Sequence, residues 1–197
     1  QPGGETGLLR CARNDEHTAM RVASVYVPNG QEAGCDKFAY KLRFLDRFAA
    51  HMKTLLGYHE MLVVGGDYNI APSDEDVHNP KEWEGSVLTH DEVRMRFRRI
   101  ANLGMYDAQR LVTSRLSTVV GNHNPTIDRR LETGDYSWWD YRAGAFARDD
   151  GLRIDHLLVS SQAADKLIEC RVKKELRALE KPSDHAPVVG VFAHFKP

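Results

Sequence analysis

The sequence predicts an α/β domain, and three segments near its start carry that prediction. Residues 21–27 are rich in β-branched and aromatic side chains and run into Pro-Asn-Gly, which is typical of a strand entering a turn. Residues 36–56 place apolar side chains every three or four positions and are followed by Gly57, which predicts a long amphipathic helix. Residues 61–66 form a short apolar run of the kind found in buried strands. The order strand, helix, strand indicates a sheet covered by helices.

The middle of the chain predicts a loop followed by a second helix. Residues 72–88 are polar and begin with Pro-Ser-Asp, which favours a loop. Thr89 and Glu92 have the spacing of a capping box, so we expect a helix from there to about Asn102. Four arginines at 94, 96, 98 and 99 resemble a nucleic-acid-binding run, but their spacing fits the solvated side of an amphipathic helix, and we prefer that interpretation. The apolar side is formed by Val93, Phe97 and Ile100.

The last third of the chain predicts a long loop, a short helix and three strands. Residues 113–135 are polar and irregular, which indicates a loop. Residues 161–169 predict a helix capped by Ser160 or Ser161. The predicted strands are residues 153–159, 171–177 and 188–195.

The composition limits the domain size, the partners and the cellular compartment that we expect for the protein. A length of 197 residues with 42% hydrophobic side chains suits one domain with a buried core. The formal net charge of −1 gives no generally basic surface, so any DNA contact requires local patches or screening by a metal. Three widely spaced cysteines fit neither a zinc site nor a disulfide framework, and we expect a reducing cytoplasm. No apolar run is long enough to span a membrane, and we expect no membrane association.

Three short segments at the ends of predicted strands carry acids, amides and an imidazole. Asp67 and Asn69 lie two positions apart, and an extended backbone aims both side chains the same way, toward a phosphate or a hard metal. Asp184 precedes His185, which pairs a carboxylate suited to Mg²⁺ with a group that exchanges protons near neutral pH. Asp155 is a candidate to orient that imidazole. The segments are GGDYNI at 65–70, GLRIDHLLVS at 151–160 and SDHAP at 183–187.

Each of these residues also has a structural interpretation. Gly, Asp and Asn commonly form turns, so Asp67 and Asn69 alone indicate a turn after a strand. A single histidine such as His185 is more often a surface or hydrogen-bonded side chain than a catalyst. Asp155 can instead form an ion pair with Arg153 at the strand end. The combination of the motifs favours the chemical interpretation.

Five motifs in a fixed order identify a family. With them the chain resembles bacterial exonuclease III from about residue 21 to 195. That family belongs to the endonuclease/exonuclease/phosphatase superfamily of Mg²⁺-dependent phosphodiesterases, whose members trim DNA from the 3′ end and incise beside abasic sites. The resemblance implies a two-sheet β-sandwich flanked by helices, present as a partial domain over residues 20–197. The motifs are YVPNG, GDYN, SWWDYR, GLRID and EKPSDHAPV.

The resemblance implies a role for each site residue and a Mg²⁺ (or Mn²⁺) cofactor. Asp67 handles a proton at the nucleophile or leaving group, and Asn69 binds the phosphate or assists the metal. His185 contacts the scissile phosphate, with Asp155 on its other ring nitrogen as in a hydrolytic triad. The implied catalytic residues are Tyr26, Asp67, Asn69, Asp155 and His185, and the implied metal ligands are Asp67, Asn69 and Asp184.

Four further residues are candidates for DNA contact. Trp138, Trp139 and Tyr141 are either core side chains, which is the usual place of such rings, or platforms that stack against an exposed base or an abasic gap. Asn29, beside Tyr26 in the YVPNG motif, is a weaker candidate near the phosphate. The implied partner is double-stranded DNA with abasic sites or 3′ ends, bound by a monomer.

The chain departs from the family pattern before residue 21. The family has its first strands there, with an Asn and a metal-binding Glu, whereas residues 1–19 are Gly-rich and polar and show no matching context. We therefore expect an irregular, non-family segment at 1–19, a sandwich lacking its first strands, and severely impaired cleavage. The alternatives are a non-catalytic DNA-binding remnant and a related phosphodiesterase that acts on another substrate.

Overall fold

The computed structural model describes residues 20–119 and 136–193. The segment expected to be irregular, 1–19, and the 120–135 portion of the predicted loop lie outside these described residues. The strands are β1 (Met20–Tyr26), β2 (Met61–Asp67), β3 (Met105–Asp107), β4 (Asp155–Ser160), β5 (Leu167–Val172) and β6 (Val188–Phe192). The α-helices are α1 (Asp36–Leu56), α2 (Asp91–Ala101), α3 (Ala108–Val119), α4 (Ala145–Arg148) and α5 (Ser161–Ala164).

The described strands form two sheets. The larger sheet has the order β1-β2-β4-β3, and the smaller one consists of β5 and β6. Strand β1 is parallel to β2, with α1 between them in sequence, as a parallel pair needs a crossover connection. Strands β2, β4 and β3 pair antiparallel. Two sheets with flanking helices confirm the predicted fold class.

Strand β2 lies at the centre of the packing because its two faces contact different cores. Leu62 and Val64 belong to the cluster that includes the apolar faces of α1 and α2. Met61 and Val63 belong to a second cluster with residues of α3, α5 and β5, against which β6 packs. Burial on both faces explains why residues 61–64 are uniformly apolar rather than alternating. The larger sheet thus separates a helical layer from the layer that contains the smaller sheet.

The beginning of α2 differs from the prediction. The N-cap is His90, whose Nδ1 accepts a hydrogen bond of 3.3 Å from the Glu92 backbone N–H. The Thr89 hydroxyl instead donates to the backbone carbonyls of Trp83 and Ser86, so the preceding loop holds it. The predicted Thr89–Glu92 capping box is therefore wrong.

The predicted loop begins too early. Residues 113–119 continue α3, although their polar composition favours a loop. The Thr113 hydroxyl donates to the carbonyl of Gln109, one turn earlier, and the Arg115 guanidinium donates to the carbonyls of Ala164 and Leu167. These contacts with another part of the chain stabilise the helix, and they are not visible in local sequence.

The helices and strands near the end of the chain also have other boundaries than the sequence predicts. Helix α5 covers only Ser161–Ala164, with Ser160 as its N-cap, one of the two predicted caps. The predicted helix at 165–169 is wrong, since β5 begins at Leu167 and pairs with β6. Lys174–Ala178 is a 3₁₀-helix, so the predicted strand at 171–177 is wrong beyond residue 172. Within the part of the chain that the structure describes, no helix is both long and apolar enough to cross a membrane.

Candidate active site

Strand pairing aligns the ends of three strands of the larger sheet. Tyr26, the last residue of β1, lies opposite Asp67, the last residue of β2. Asp67 lies in turn opposite Asp155, the first residue of β4. The Tyr26 side chain is 65% exposed, so its hydroxyl is accessible at this edge. Tyr26 precedes Asp67 by 41 positions and Asp155 by 129 positions in the sequence, and the sheet places all three in one row.

His185 and Asp155 form a hydrogen-bonded pair beside Asp67. The distance between His185 Nδ1 and Asp155 Oδ2 is 2.8 Å. The Ser183 hydroxyl accepts a bond from the His185 backbone N–H, and Ser137 accepts one from the backbone N–H of Asp155. Burial lowers the pKa of His185, but the hydrogen bond and negative charge of Asp155 outweigh it, and the net pKa is raised. The bond at Nδ1 leaves Nε2 to face a substrate.

The side chain of Asn69 holds the carboxylate of Asp67. The Asn69 backbone N–H donates to Asp67 Oδ1 at 2.7 Å, and Asn69 Nδ2 donates to Asp67 Oδ2 at 2.9 Å. Asn69 has a positive φ of 50°, a conformation that asparagine tolerates better than most residues. Desolvation and the negative charge of Asp155 raise the pKa of Asp67 to about 6, although the bond from Asn69 opposes this rise. Asp67 therefore changes its protonation just below neutral pH.

Asn29 extends this arrangement by one residue. Its Nδ2 donates to Asn69 Oδ1 at 3.0 Å, and its Oδ1 accepts from the backbone N–H of Gln31 at 3.1 Å. The second N–H of Asn69 Nδ2 is donated to the carbonyl of Val27. Both hydrogens and the oxygen of the Asn69 amide are thus engaged within the protein. In this arrangement Asn69 orients Asp67 and Asn29, and it would have to exchange a bond to contact a phosphate.

A buried lysine beneath the site was not identified from the sequence. The Lys41 side chain is fully buried, and its Nζ donates to the carbonyls of Asn29, Asn69 and Val87 at 3.0, 2.7 and 2.8 Å. Burial lowers the pKa of Lys41 to about 7, although the charge of Asp67 opposes this. The available signal was its position three residues after Phe38 and four before Leu45, which is on the apolar face of α1.

Asp184 joins two of the motifs. Its Oδ2 accepts a hydrogen bond of 3.0 Å from Trp138 Nε1, and its backbone carbonyl accepts from the backbone N–H of Trp139 at 3.0 Å. Trp138 also forms a bridge with His185. The SWWDYR and SDHAP segments therefore lie side by side.

The three aromatic candidates for DNA contact occupy different environments. Trp139 is fully buried, its ring centroid lies 5.2 Å from that of Phe146, and its Nε1 donates to Asp149, so the structure favours the core interpretation for this ring. Trp138 is half-buried and lines a cleft of about 470 Å³ together with Trp83. Tyr141 is 62% exposed. Trp138 and Tyr141 remain accessible to a ligand.

The ion pair considered between Asp155 and Arg153 does not form. Arg153 donates to Asp76 at 2.6 Å and to Asp107 at 2.7 Å, below the sheet edge. Its guanidinium also approaches Nδ1 of the buried His156 at 3.2 Å. Asp155 is therefore available for His185.

The oxygen donors at the site suit a cation that keeps part of its water shell. Among residues 20–119 and 136–193, no group of three or more His, Cys, Asp and Glu side chains could hold a metal ion. Asp184 directly precedes His185 in the chain, and Asp155, which bonds to His185, lies opposite Asp67 on β2. Mg²⁺ is commonly held by one or two carboxylates with waters and substrate phosphates. The carboxylates of Asp67 and Asp184, with the Asn69 amide, fit that pattern.

Comparison with known proteins agrees with the fold and with the motifs. Residues 10–185 match the Endonuclease/Exonuclease/phosphatase family. Exodeoxyribonuclease III of Haemophilus influenzae is 31% identical to the chain over 184 aligned positions, and the match covers 90% of this chain and 63% of that protein.

Two solved structures have the same fold. An AP endonuclease from Archaeoglobus fulgidus superposes with a TM-score of 0.75 at 31% identity, over 88% of this chain and 61% of that one. A 3′ phosphatase from Neisseria, bound to a product DNA hairpin, superposes with a TM-score of 0.78 at 36% identity, over 90% of this chain and 63% of that one. The chain spans less than two thirds of the length of each of these relatives.

Proposed function

Because this chain belongs to the endonuclease/exonuclease/phosphatase family, we propose that it hydrolyses phosphodiester bonds of double-stranded DNA at abasic sites and 3′ ends. The observation that carries the proposal is the 2.8 Å hydrogen bond between His185 and Asp155 beside the carboxylate of Asp67. An oriented imidazole and a carboxylate that titrates near neutral pH are the groups that a hydrolytic site needs. The names of the relatives, an exodeoxyribonuclease and an AP endonuclease, support DNA as the substrate.

His185 is proposed to stabilise charge on the scissile phosphate. Asp155 fixes the ring through Nδ1, so Nε2 carries the contact with the substrate. Because its pKa is raised, the imidazole holds a proton over a wider pH range and can donate it to a phosphate oxygen. His185 and Asp155 also line a cleft of about 350 Å³, whose lining does not include Asp67.

Asp67 is proposed to accept the proton of the attacking water. With a pKa of about 6 it is mainly ionised above neutral pH and is still basic enough to take a proton. Asn69 keeps both carboxylate oxygens in place. Tyr26, opposite Asp67 and exposed, is proposed to place its hydroxyl near the same phosphate.

Mg²⁺ or Mn²⁺ is the proposed cofactor, with Asp67, Asn69 and Asp184 as protein ligands. A divalent cation held there neutralises the charge that develops on phosphate oxygens. Because this set contains two carboxylates and one amide, we expect weak binding of the cation and slow turnover.

DNA contact is assigned to the accessible polar and aromatic side chains at the rim. Trp138 and Tyr141 are proposed to stack against an exposed base or an abasic gap, and Asn29 to contact a phosphate. The proposal includes action as a monomer in the cytoplasm, without membrane association.

The experiment that tests this function is cleavage of a duplex oligonucleotide with one abasic site. The 197-residue chain, its His185→Ala variant and an Asp165→Asn control are compared with Mg²⁺ and with a chelator. Asp165 is an exposed residue at the end of α5, where only its backbone takes part in capping. We expect slow, Mg²⁺-dependent cleavage by the parent chain and the control, and a loss of about 10²-fold or more in His185→Ala.

Other outcomes would identify the alternatives. A folded chain that binds the abasic duplex but cleaves nothing at any Mg²⁺ concentration would indicate a non-catalytic DNA-binding protein. Faster cleavage of RNA hybrids or of small phosphate esters than of duplex DNA would indicate a related phosphodiesterase with another substrate. Cleavage that His185→Ala leaves unchanged would contradict the assignment of the site.

A further inference from the structure

We propose that Lys41 is a positioning residue for the proposed phosphodiester cleavage, because it holds the loops that carry Asn29 and Asn69 in register beneath Asp67. This inference rests on the proposed function and adds to it a residue that the five motifs do not contain. Lys41 lies on α1, whose other buried residues serve to pack the helix on the sheet. The lysine reaches the site from below and does not contact the cleft surface.

The three bonds of Lys41 connect three separate segments. The carbonyl of Asn29 follows β1, that of Asn69 follows β2, and that of Val87 precedes α2. When Lys41 is protonated it has three N–H donors, and the three backbone oxygens around Nζ accept all of them, which favours the charged form although burial lowers the pKa to about 7. Because the side chain is fully buried, water cannot replace these bonds if the ammonium is removed. Lys41 therefore fixes the relative positions of the two asparagine loops.

A second buried side chain holds the next residue of the same turn. His156 Nε2 lies 2.8 Å from the carbonyl of Ile70, which can only accept, so this nitrogen carries the proton. Its Nδ1 faces the Arg153 guanidinium, which can only donate. Two consecutive carbonyls, those of Asn69 and Ile70, are thus held by Lys41 and His156. Both carbonyls follow the N–Cα bond of Asn69, whose φ of 50° is a conformation that persists only where the surroundings fix it.

The position of this turn determines the position of the catalytic carboxylate. Asn69 donates to both oxygens of Asp67 and accepts from Asn29. If the Asn69 backbone moves, the Asp67 carboxylate loses its two donors and rotates away from the row that includes Asp155. A displacement of about 1 Å at a catalytic group can reduce a rate about 10²-fold. Loss of the Lys41 ammonium should therefore reduce turnover more than substrate binding.

The first test compares Lys41→Met with Lys53→Met. Methionine keeps most of the volume of lysine and removes the three donors, whereas Lys53 is an exposed lysine of the same helix. With the abasic duplex, we expect Lys41→Met to lower kcat about 10- to 100-fold with little change in KM. Lys53→Met should match the parent chain. An unchanged kcat in a folded Lys41→Met protein, or an increase in KM alone, would refute a positioning role.

A double-mutant cycle tests whether Lys41 acts through Asn69. An Asn69→Ala background keeps the backbone N–H that donates to Asp67 Oδ1 and loses the side-chain donor to Oδ2, so Lys41→Met should lower kcat by a smaller factor there than in the parent chain. A general loss of structural integrity would instead reduce kcat by the same factor in both backgrounds. Equal effects in the two backgrounds would overturn the proposal.

A measurement without catalysis separates this proposal from the proposed function. In ¹H–¹⁵N spectra, the backbone and side-chain amide signals of Asn69 should shift in Lys41→Met and stay unchanged in Lys53→Met. A chain that cleaves no DNA but shows this pattern would refute the proposed function and retain the role of Lys41. Parent-like Asn69 signals in Lys41→Met would refute that role whatever the activity.

If Lys41→Met does not fold, Lys41→Arg takes its place. The guanidinium keeps the charge and the donors but not the geometry of the ammonium. We expect intermediate shifts of the Asn69 signals together with an intermediate kcat. A large loss of kcat with Asn69 signals at their parent positions would contradict the inference.

Discussion

Asp67 and Asp155 lie directly opposite each other on the neighbouring antiparallel strands β2 and β4. Like charges in such a pair repel, since opposite residues on adjacent strands have their Cβ atoms within about 5.5 Å. The structure gives each carboxylate its own partner: Asn69 donates to Asp67, and His185 bonds to Asp155. Desolvation, and after it the repulsion from Asp155 that remains, raise the pKa of Asp67. One cross-strand register thus brings together the Asp67 carboxylate and an oriented imidazole.

Replacing Asp155 by Asn should lower the pKa of Asp67 below its value of about 6. Desolvation, the largest cause of the raised pKa, remains in this variant, but the neighbouring negative charge is removed. His185 also loses the partner that raises its own pKa, so its imidazole carries less positive charge. This loss of positive charge partly opposes the fall in the pKa of Asp67. Because Asp155 acts on Asp67 more strongly than His185 does, the net shift is downward. The chemical shift of the Asp67 carboxyl carbon, followed by NMR as a function of pH in the presence of a chelator, measures this pKa.

The exposed Asp91 of α2 offers a control, and Asp91→Asn should leave the Asp67 titration unchanged. A pKa of Asp67 that stays at about 6 or rises in Asp155→Asn would contradict the electrostatic coupling between the two strands.

Asp76→Asn should destabilise the fold by about 3–5 kcal/mol at neutral pH, because it breaks a buried ion pair with Arg153. Burial raises the pKa of Asp76, but the charges of Arg153 and Arg110 outweigh it and lower the pKa to about 2. A lowered carboxyl pKa contributes stability above the unfolded value of about 4, which is lost as the pH falls toward 2. The difference in unfolding free energy between parent and variant should therefore shrink below about pH 4.

Urea unfolding between pH 3 and pH 7 measures this difference. Asp74→Asn is the matched control, since Asp74 pairs with Arg94 at the surface and its side chain is 70% exposed. It should cost less than about 1 kcal/mol at any pH. Equal costs for the two variants would show that burial does not strengthen the Asp76 pair.

Gly66→Ala should destabilise the protein by about 2–4 kcal/mol. Gly66 precedes Asp67 in β2, has a φ of 148°, and an added Cβ would overlap the carbonyl oxygen of Val25 on β1. Gly85→Ala serves as the control, because Gly85 also has a positive φ of 74° but has open space around it. We expect thermal unfolding to show a cost of about 1 kcal/mol for the control. A Gly66→Ala protein as stable as Gly85→Ala would exclude the clash.

The two adjacent tryptophans should respond in opposite ways. Trp139→Phe should reduce stability by about 2 kcal/mol, since it removes a buried hydrogen bond to Asp149 and core volume. It should leave the Kd for an abasic duplex unchanged. Trp138→Ala should weaken that Kd about 10-fold, because stacking contributes about 1–3 kcal/mol per base. Fluorescence anisotropy in chelator measures both values, and an equal Kd for the two variants would refute DNA contact by Trp138.

Local sequence was sufficient where one short segment determines its own structure. The apolar spacing of α1 predicted its bounds, and the β-branched run before Pro28 predicted β1 within one residue. The same reasoning was wrong for residues 113–119, which are polar and yet helical, because Arg115 is held by carbonyls of a segment about fifty residues away.

The motifs determined which residue types the site contains and which family the chain belongs to. Their order in the sequence located Asp67, Asn69, Asp155 and His185 without any coordinates. Only the tertiary structure decided how these groups are combined: the register of β2 with β4, the pairing of His185 with Asp155, and the burial of Trp139. It also placed Lys41 beneath the site. The physical reason is that burial, desolvation and charge proximity arise between segments far apart in sequence, whereas a motif records only what is adjacent.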